Sequence, residues 1–115
     1  MATPDDVRAV ALSLPEVTER PSYGTPGWRV RDRLFARLRD DDTVLALHVV
    51  DEQDKAALIA GAPEKFFTTP HYDGYAMVLV RLASVEPAEL RELLADAWRV
   101  RAPKRLLAQH GDALG

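Results

Sequence analysis

The chain has 115 residues, no cysteine and a formal net charge of -3. That length suits one domain, expected to span residues 1–115, with a core that folds without metal or disulfide staples. The lack of cysteine excludes disulfides, thiolate catalysis, iron–sulfur ligation and thiolate zinc sites. The slightly acidic balance argues against indiscriminate coating of nucleic acid, which is driven by phosphate neutralisation.

At its N-terminus MATPDDVRAV has no basic segment followed by an apolar one, so no export signal is expected. The apolar stretch Ala76 to Val80 is far short of the roughly 18 residues that span a bilayer. A cytoplasmic protein with no membrane partner is therefore expected. Thr3, Pro4 and Asp6 read as an N-cap, a proline at the first helical position and an acid at the third. Val7, Val10, Ala11 and Leu14 then repeat at helical spacing until Pro15 stops the helix. The connector Glu16 to Gly27 is rich in breakers, and it reads as an ordered loop leading into a strand.

From Trp28 the period becomes two. Trp28 and Val30 alternate with Arg29 and Arg31, Asp32-Arg33 reads as a tight turn, and Leu34, Ala36 and Leu38 alternate with Phe35, Arg37 and Arg39. The acids Asp40 to Asp42 close that strand, and Thr43 to Val50, apolar at nearly every position, reads as a central strand covered on part of both faces. Asp51 and Asp54 open a second helix through Ala56, Leu58 and Ile59, with Gly61 as its stop and Pro63 starting one extra turn. Phe66 to Thr69 is a short strand, Asp73-Gly74 is a hairpin signal, and Ala76 to Leu82 is a strong strand. Glu86, Pro87 and Glu89 start a long helix with Leu90, Leu93, Leu94, Ala97 and Trp98 on one stripe. Ala102-Pro103 breaks it, and Lys104 to Gln109 forms a last short helix.

The order α-β-β-β-α-β-β-α predicts an α+β fold: a two-layer sandwich of a five-stranded antiparallel sheet with helices packed on one face. Its charge is segregated. Residues 20–39 hold six arginines against Asp32, residues 99–110 hold Arg99, Arg101, Lys104 and Arg105 with no acid, and residues 40–98 hold twelve acids against four bases.

Four segments carry a resemblance: LSLPEV at the end of the first helix, the connector YGTPGWRV, the stretch EKFFTTPHYDGYAMVLVRL, and AWRVRAPKRL near the C-terminus. Together they resemble the MmcQ/YjbR family of small single-domain proteins, over roughly Pro4 to Leu107, and FFTTPHYDGY and PKRL look closest to a subgroup common in bacteria. The resemblance implies an α-β(3)-α-β(2)-α fold, shared with secretion-chaperone-like domains and akin to frataxin-like ones, and a DNA-binding role. It implies no catalytic or metal site, and fold similarity supplies none.

Three constellations could carry a function. If Trp28, Val30, Leu34, Ala36 and Leu38 face the helices, then Arg29, Arg31, Arg33, Arg37 and Arg39 gather around Phe35 on the other face. Guanidinium forks suit phosphate oxygens, and an aromatic ring suits an unpaired base. The plain alternative is a solvated sheet face whose arginines pair with neighbouring acids. Arg101, Lys104 and Arg105 would extend the same surface if the helix end lies beside the hairpin, although cations at a helix C-terminus are expected for the dipole alone. In the loop 70–75, His71, Tyr72, Asp73 and Tyr75 could bind a small molecule, with Asp73 orienting His71 if chemistry occurred there. A hairpin turn accounts for the same residues.

The three histidines, His48, His71 and His110, have no metal-ligand spacing, the aspartate run lacks a calcium-loop pattern, and there is no phosphate-cradling glycine motif. No cofactor and no enzymatic activity are expected. The partners left open are DNA, a second copy of this chain, or another protein. The leucine stripe of the long helix is read as core rather than as a docking face.

Overall fold

Helix α1 (Pro4–Ser13) starts on a full capping box: the Thr3 hydroxyl accepts from the Asp6 amide at 3.1 Å, and the Asp6 carboxylate accepts from the Thr3 amide at 2.9 Å. These coordinates are a computed structural model, and they describe residues 1–110. After α1 the chain runs through β1 (Val17–Ser22), β2 (Thr25–Val30), β3 (Arg33–Arg39), β4 (Val44–His48), α2 (Glu52–Gly61), β5 (Phe66–Phe67), β6 (Met77–Arg81), α3 (Pro87–Arg101) and α4 (Lys104–His110). Asp51 caps α2 through the Asp54 amide at 2.8 Å, and Pro87 begins α3.

The sheet is antiparallel, in the order β1-β2-β3-β4-β6-β5. It has six strands rather than the expected five. The extra one is β1, which occupies the stretch read as a loop. After Val17 and Thr18 its residues ERPS give little strand signal, but it is an edge strand, where Pro21 needs no partner for a missing N–H and charged side chains remain in water. Arg8 of α1 holds it by a two-point contact to Glu19, at 2.9 and 3.2 Å, and Glu19 also accepts from the Trp28 indole at 3.1 Å. The Arg8 hydrogen bond, first, holds the Glu19 carboxyl below its usual range.

One face of the sheet carries the helices. Val7 and Ala11 of α1, Leu90, Leu94, Ala97 and Trp98 of α3, and Leu106 of α4 pack on Trp28, Val30, Ala36, Leu38, Leu45, Leu47, Val78 and Val80, and Leu58 and Ile59 of α2 join them. The motif LSLPEV has a structural purpose in this arrangement. Leu14 is buried at the end of α1, and the Pro15 carbonyl accepts from the buried Trp98 indole at 2.9 Å, tying the first helix to the third.

The opposite face has a smaller cluster of Val44, Ala46, Tyr72 and Leu79, flanked by Phe67 and Met77. The central strand β4 is thus covered on both sides, with Leu45 and Leu47 inward and Val44 and Ala46 outward. Among the described residues no helix lines the open space on this second face in front of β3.

Two details of the hairpin differ from the simple alternation. The turn is Arg31-Asp32, one residue earlier than read, with φ of 48° and 67°, the double positive pair of a two-residue hairpin turn. The register between β2 and β3 also shifts: Trp28 faces Ala36 while Arg29 faces Leu34, so Phe35 is an extra residue without a partner on β2. This bulge reverses the alternation locally. Phe35 is completely buried in the helix-side core, and Leu34 turns to the open face, the reverse of the assignment made from the period. Phe35 is therefore not a surface ring and stacks on no ligand.

Candidate ligand cleft on the open sheet face

On β3, residues 37 and 39 lie beyond the bulge and keep their outward direction, because Ala36 and Leu38 point into the core. Their guanidinium groups lie in a cleft of about 1030 Å³, lined by Tyr23, Thr25, Leu34, Asp40, Pro70, His71, Tyr72, Tyr75 and Met77 besides the two arginines. One wall is the β1–β2 turn and the other is the loop 68–76. Two of the arginines and the histidine–tyrosine loop, separate candidates in the sequence, line one cleft.

Arg37 is half-buried and aimed by neutral partners. Its Nη1 donates to the Tyr72 hydroxyl at 3.0 Å, its Nη2 to the Thr25 hydroxyl at 3.3 Å, and its guanidinium carbon lies 5.2 Å from the centre of the Tyr23 ring. Among the described residues no carboxylate pairs with it, and its Nε is buried with no hydrogen bond. Its positive charge is therefore held in position with no ion-pair partner among the described residues. Arg39 lies 5.1 Å from the centre of the Tyr72 ring, and its Nε donates to Asp40 at 3.2 Å.

The loop wall is held from beneath by Lys55 of α2, which is 5% exposed. Its ammonium donates to the carbonyls of Tyr72 at 2.6 Å and Tyr75 at 3.1 Å. Burying an ammonium is costly unless it is hydrogen-bonded, and these carbonyl dipoles are what compensate it. The Tyr72 and Asp73 amides both return to the Thr69 carbonyl, at 2.8 and 2.9 Å, and the Tyr75 amide donates to the Tyr72 carbonyl at 3.1 Å. Asp73 accepts from the Thr68 hydroxyl at 2.9 Å, so it braces the loop instead of orienting His71. His71 is exposed and meets the Tyr72 ring edge-on at 5.3 Å between centroids.

The other arginines are dispersed. Arg31, in the turn, forms a two-point contact with Glu16 at 2.6 and 2.9 Å, and this hydrogen bonding holds the Glu16 carboxyl low. Arg20 pairs with Asp32 at 2.9 Å. Arg29 shares the open face with Leu34 but does not line the cleft. Arg33 donates to the Arg101 carbonyl at 3.3 Å, and Arg101 Nε donates to the Leu34 carbonyl at 3.1 Å, so the end of α3 does meet the hairpin. That meeting is at the start of β3, where Leu34 borders the cleft but neither Arg33 nor Arg101 lines it, and Lys104 and Arg105 stay exposed on α4.

Sequence reasoning missed Tyr23, Thr25, Leu34 and Lys55. Tyr23-Gly24 carried a signal, since both residues have positive φ, 52° and 81°, in a hairpin turn that an X-Gly pair announces. Lys55 carried none. A second hollow of about 490 Å³ lies between α2, α3 and the end of β4, beside His48. Burial, aided by the Arg101 charge, pushes the His48 imidazole down to about 4. Among the described residues no three histidine, cysteine, aspartate or glutamate side chains are grouped to hold a metal ion.

The family model described as YjbR matches residues 12–100. The chain belongs to the YjbR family. Among its relatives are Uncharacterized protein Mb2600 of Mycobacterium bovis and Uncharacterized protein Rv2570 of Mycobacterium tuberculosis, each 40% identical over 124 aligned positions, covering 93% of this chain and 94% of the relative. The crystal structure of the Deinococcus radiodurans protein DR2400, a DUF419 family-model domain, is similar at a TM-score of 0.73 and 24% identity, covering 96% of this chain and 89% of that one, which shows the shared fold. In this YjbR-family chain no helix among the described residues is long and apolar enough to cross a membrane.

Proposed function

We propose that this YjbR-family chain is a non-enzymatic binding domain that takes the phosphate groups of nucleic acid in the cleft on its open sheet face. The observation that carries this reading is the Arg37 guanidinium: aimed by a tyrosine and a threonine hydroxyl, it has no carboxylate partner among the described residues. An uncompensated, preorganised fork is what a phosphate oxygen pair needs. Arg39, shared with Asp40, adds a second contact. The contact surface is thus much smaller than a ribbon with five arginines, since Arg31 is occupied by Glu16 and Arg33 by the end of α3.

The convergence of His71 and Tyr72 with the two arginines also favours a second reading, a free small anion in the same cleft. Its volume lies at the top of the roughly 300–1,000 Å³ common for small-ligand sites. Both readings share the arginine contacts. The test is binding of a labelled oligonucleotide, followed by anisotropy across a salt series, for the parent, Arg37→Ala/Arg39→Ala and Lys104→Ala/Arg105→Ala. Loss confined to the first variant, with the salt slope reduced by about 0.7 per lost phosphate contact on a single strand, supports the assignment. No binding at low salt, or equal loss in both variants, refutes it.

A further inference from the structure

Tyr23 is 90% exposed and Tyr75 63%, and both line the cleft that holds Arg37 and Arg39. Neither ring contributes to the core. Tyr23 is moreover held at φ 52°, a region a bulky residue rarely adopts, at a turn position where asparagine or glycine would sit without strain. Residues kept in such a conformation cluster at functional sites. The Tyr23 ring lies against the Arg37 guanidinium, which accounts for one of its faces and leaves the other to solvent. The Tyr23 ring therefore stands exposed at the edge of the cleft, against the Arg37 guanidinium.

We infer that the cleft recognises an unpaired nucleotide, its phosphate on Arg37 and Arg39 and its base stacked on Tyr23. This rests on the phosphate-binding reading above and adds what that reading leaves open, the form of the ligand. In a duplex the base faces are occupied by neighbouring bases, and the backbone alone is presented to a cleft. An unpaired base offers its π-face, and tyrosine rings at a cationic groove are the usual platform for it. The same chemistry can come from a free nucleotide or from a single strand.

The experiment compares four probes at fixed low salt: thymidine monophosphate, a 5′-phosphorylated ten-residue oligothymidylate, an abasic strand with the same number of phosphates, and a duplex of the same length. The inference requires the base-bearing strand or the nucleotide to bind better than both the abasic strand and the duplex. Tyr23→Gly should lower that affinity by about 5- to 140-fold, the range of one lost base–aromatic stack, and Tyr23→Phe should restore it. Because glycine relieves the positive φ, the Tyr23→Gly melting temperature should be unchanged or higher, so the loss is not unfolding. A strand that binds better than the mononucleotide assigns the site to single-stranded nucleic acid, and equal binding assigns it to the free nucleotide. Equal affinity for the abasic and base-bearing strands, or full binding by Tyr23→Gly, overturns the inference while leaving the phosphate contacts standing. Absence of binding by every probe overturns both.

Discussion

Replacing Lys55 with methionine removes the support of the cleft wall while keeping the length and apolar stem of the side chain. The ammonium makes hydrogen bonds of 2.6 and 3.1 Å to the Tyr72 and Tyr75 carbonyls, and the residue is 5% exposed. Two hydrogen bonds to a charged donor contribute about 1.5–3 kcal/mol each. Two effects oppose the full loss. The methionine avoids the desolvation of a buried ammonium, and the Tyr75 carbonyl belongs to an exposed residue that water can reach. A net destabilisation of about 1–3 kcal/mol is expected in urea unfolding. The local effect should exceed the global one, because both hydrogen bonds end on the loop carbonyls of Tyr72 and Tyr75. The amides of Tyr72, Asp73 and Tyr75, which close the loop on Thr69 and Tyr72, should exchange with solvent markedly faster, while those of β3 and β4 should hasten only in line with the global change. Oligonucleotide affinity should fall as well, since the Tyr72 hydroxyl that aims Arg37 is carried on this loop. Parent-like exchange at 72–75 together with a stability loss under about 0.5 kcal/mol would refute the clamp.

Asp40→Asn should tighten binding of an anionic probe by a few-fold and steepen its salt dependence, because Asp40 lines the cleft and shares the Arg39 guanidinium; weaker binding in a fluorescence titration would contradict the site. Gly27→Ala should cost about 1–3 kcal/mol, measured by thermal unfolding, since an added Cβ would lie 3.0 Å from Ser22 Cβ, 3.2 Å from the Arg20 carbonyl and 3.3 Å from Leu34. For His48, the unfolded imidazole takes its proton near 6.5 and the folded one only near 4, so unfolding binds a proton between those values and stability falls as pH falls through that window. Discounted for partial solvent access, the loss is about 1–2 kcal/mol. Glu16 and Glu19, whose carboxyls are held low, lose their contribution in the same direction but below their ordinary value of 4.5. His48→Leu should therefore flatten the curve between pH 6.5 and 4.5 and leave the steeper fall below it; an unchanged upper limb in urea titrations would count against a buried neutral His48.

Much of the architecture was legible in local chemistry. Thr3 and Asp51 act as caps, the stripe Leu90, Leu94, Ala97 and Trp98 faces the sheet, and Trp28, Val30, Ala36 and Leu38 point inward, because helical and strand periods report which side of one element is apolar. The same periods set the fold class, and the quoted segments carried the family. What the sequence could not decide were events between elements. The bulge at Phe35 reversed two side chains without any breaker residue to announce it, and β1 formed from a mostly polar segment because Arg8 and the edge of β2 were there to receive it. Arg31, Arg33 and Arg37 look alike in the chain. Only their neighbours separate them: Glu16 for one, the end of α3 for the next, and hydroxyls of Tyr72 and Thr25 for the last. The sequence alone thus determined the layers and a supply of arginines. The tertiary structure decided which charge remains available, since pairing depends on groups that meet only after the turn at Tyr23 and the loop at Tyr72 close over the same strand.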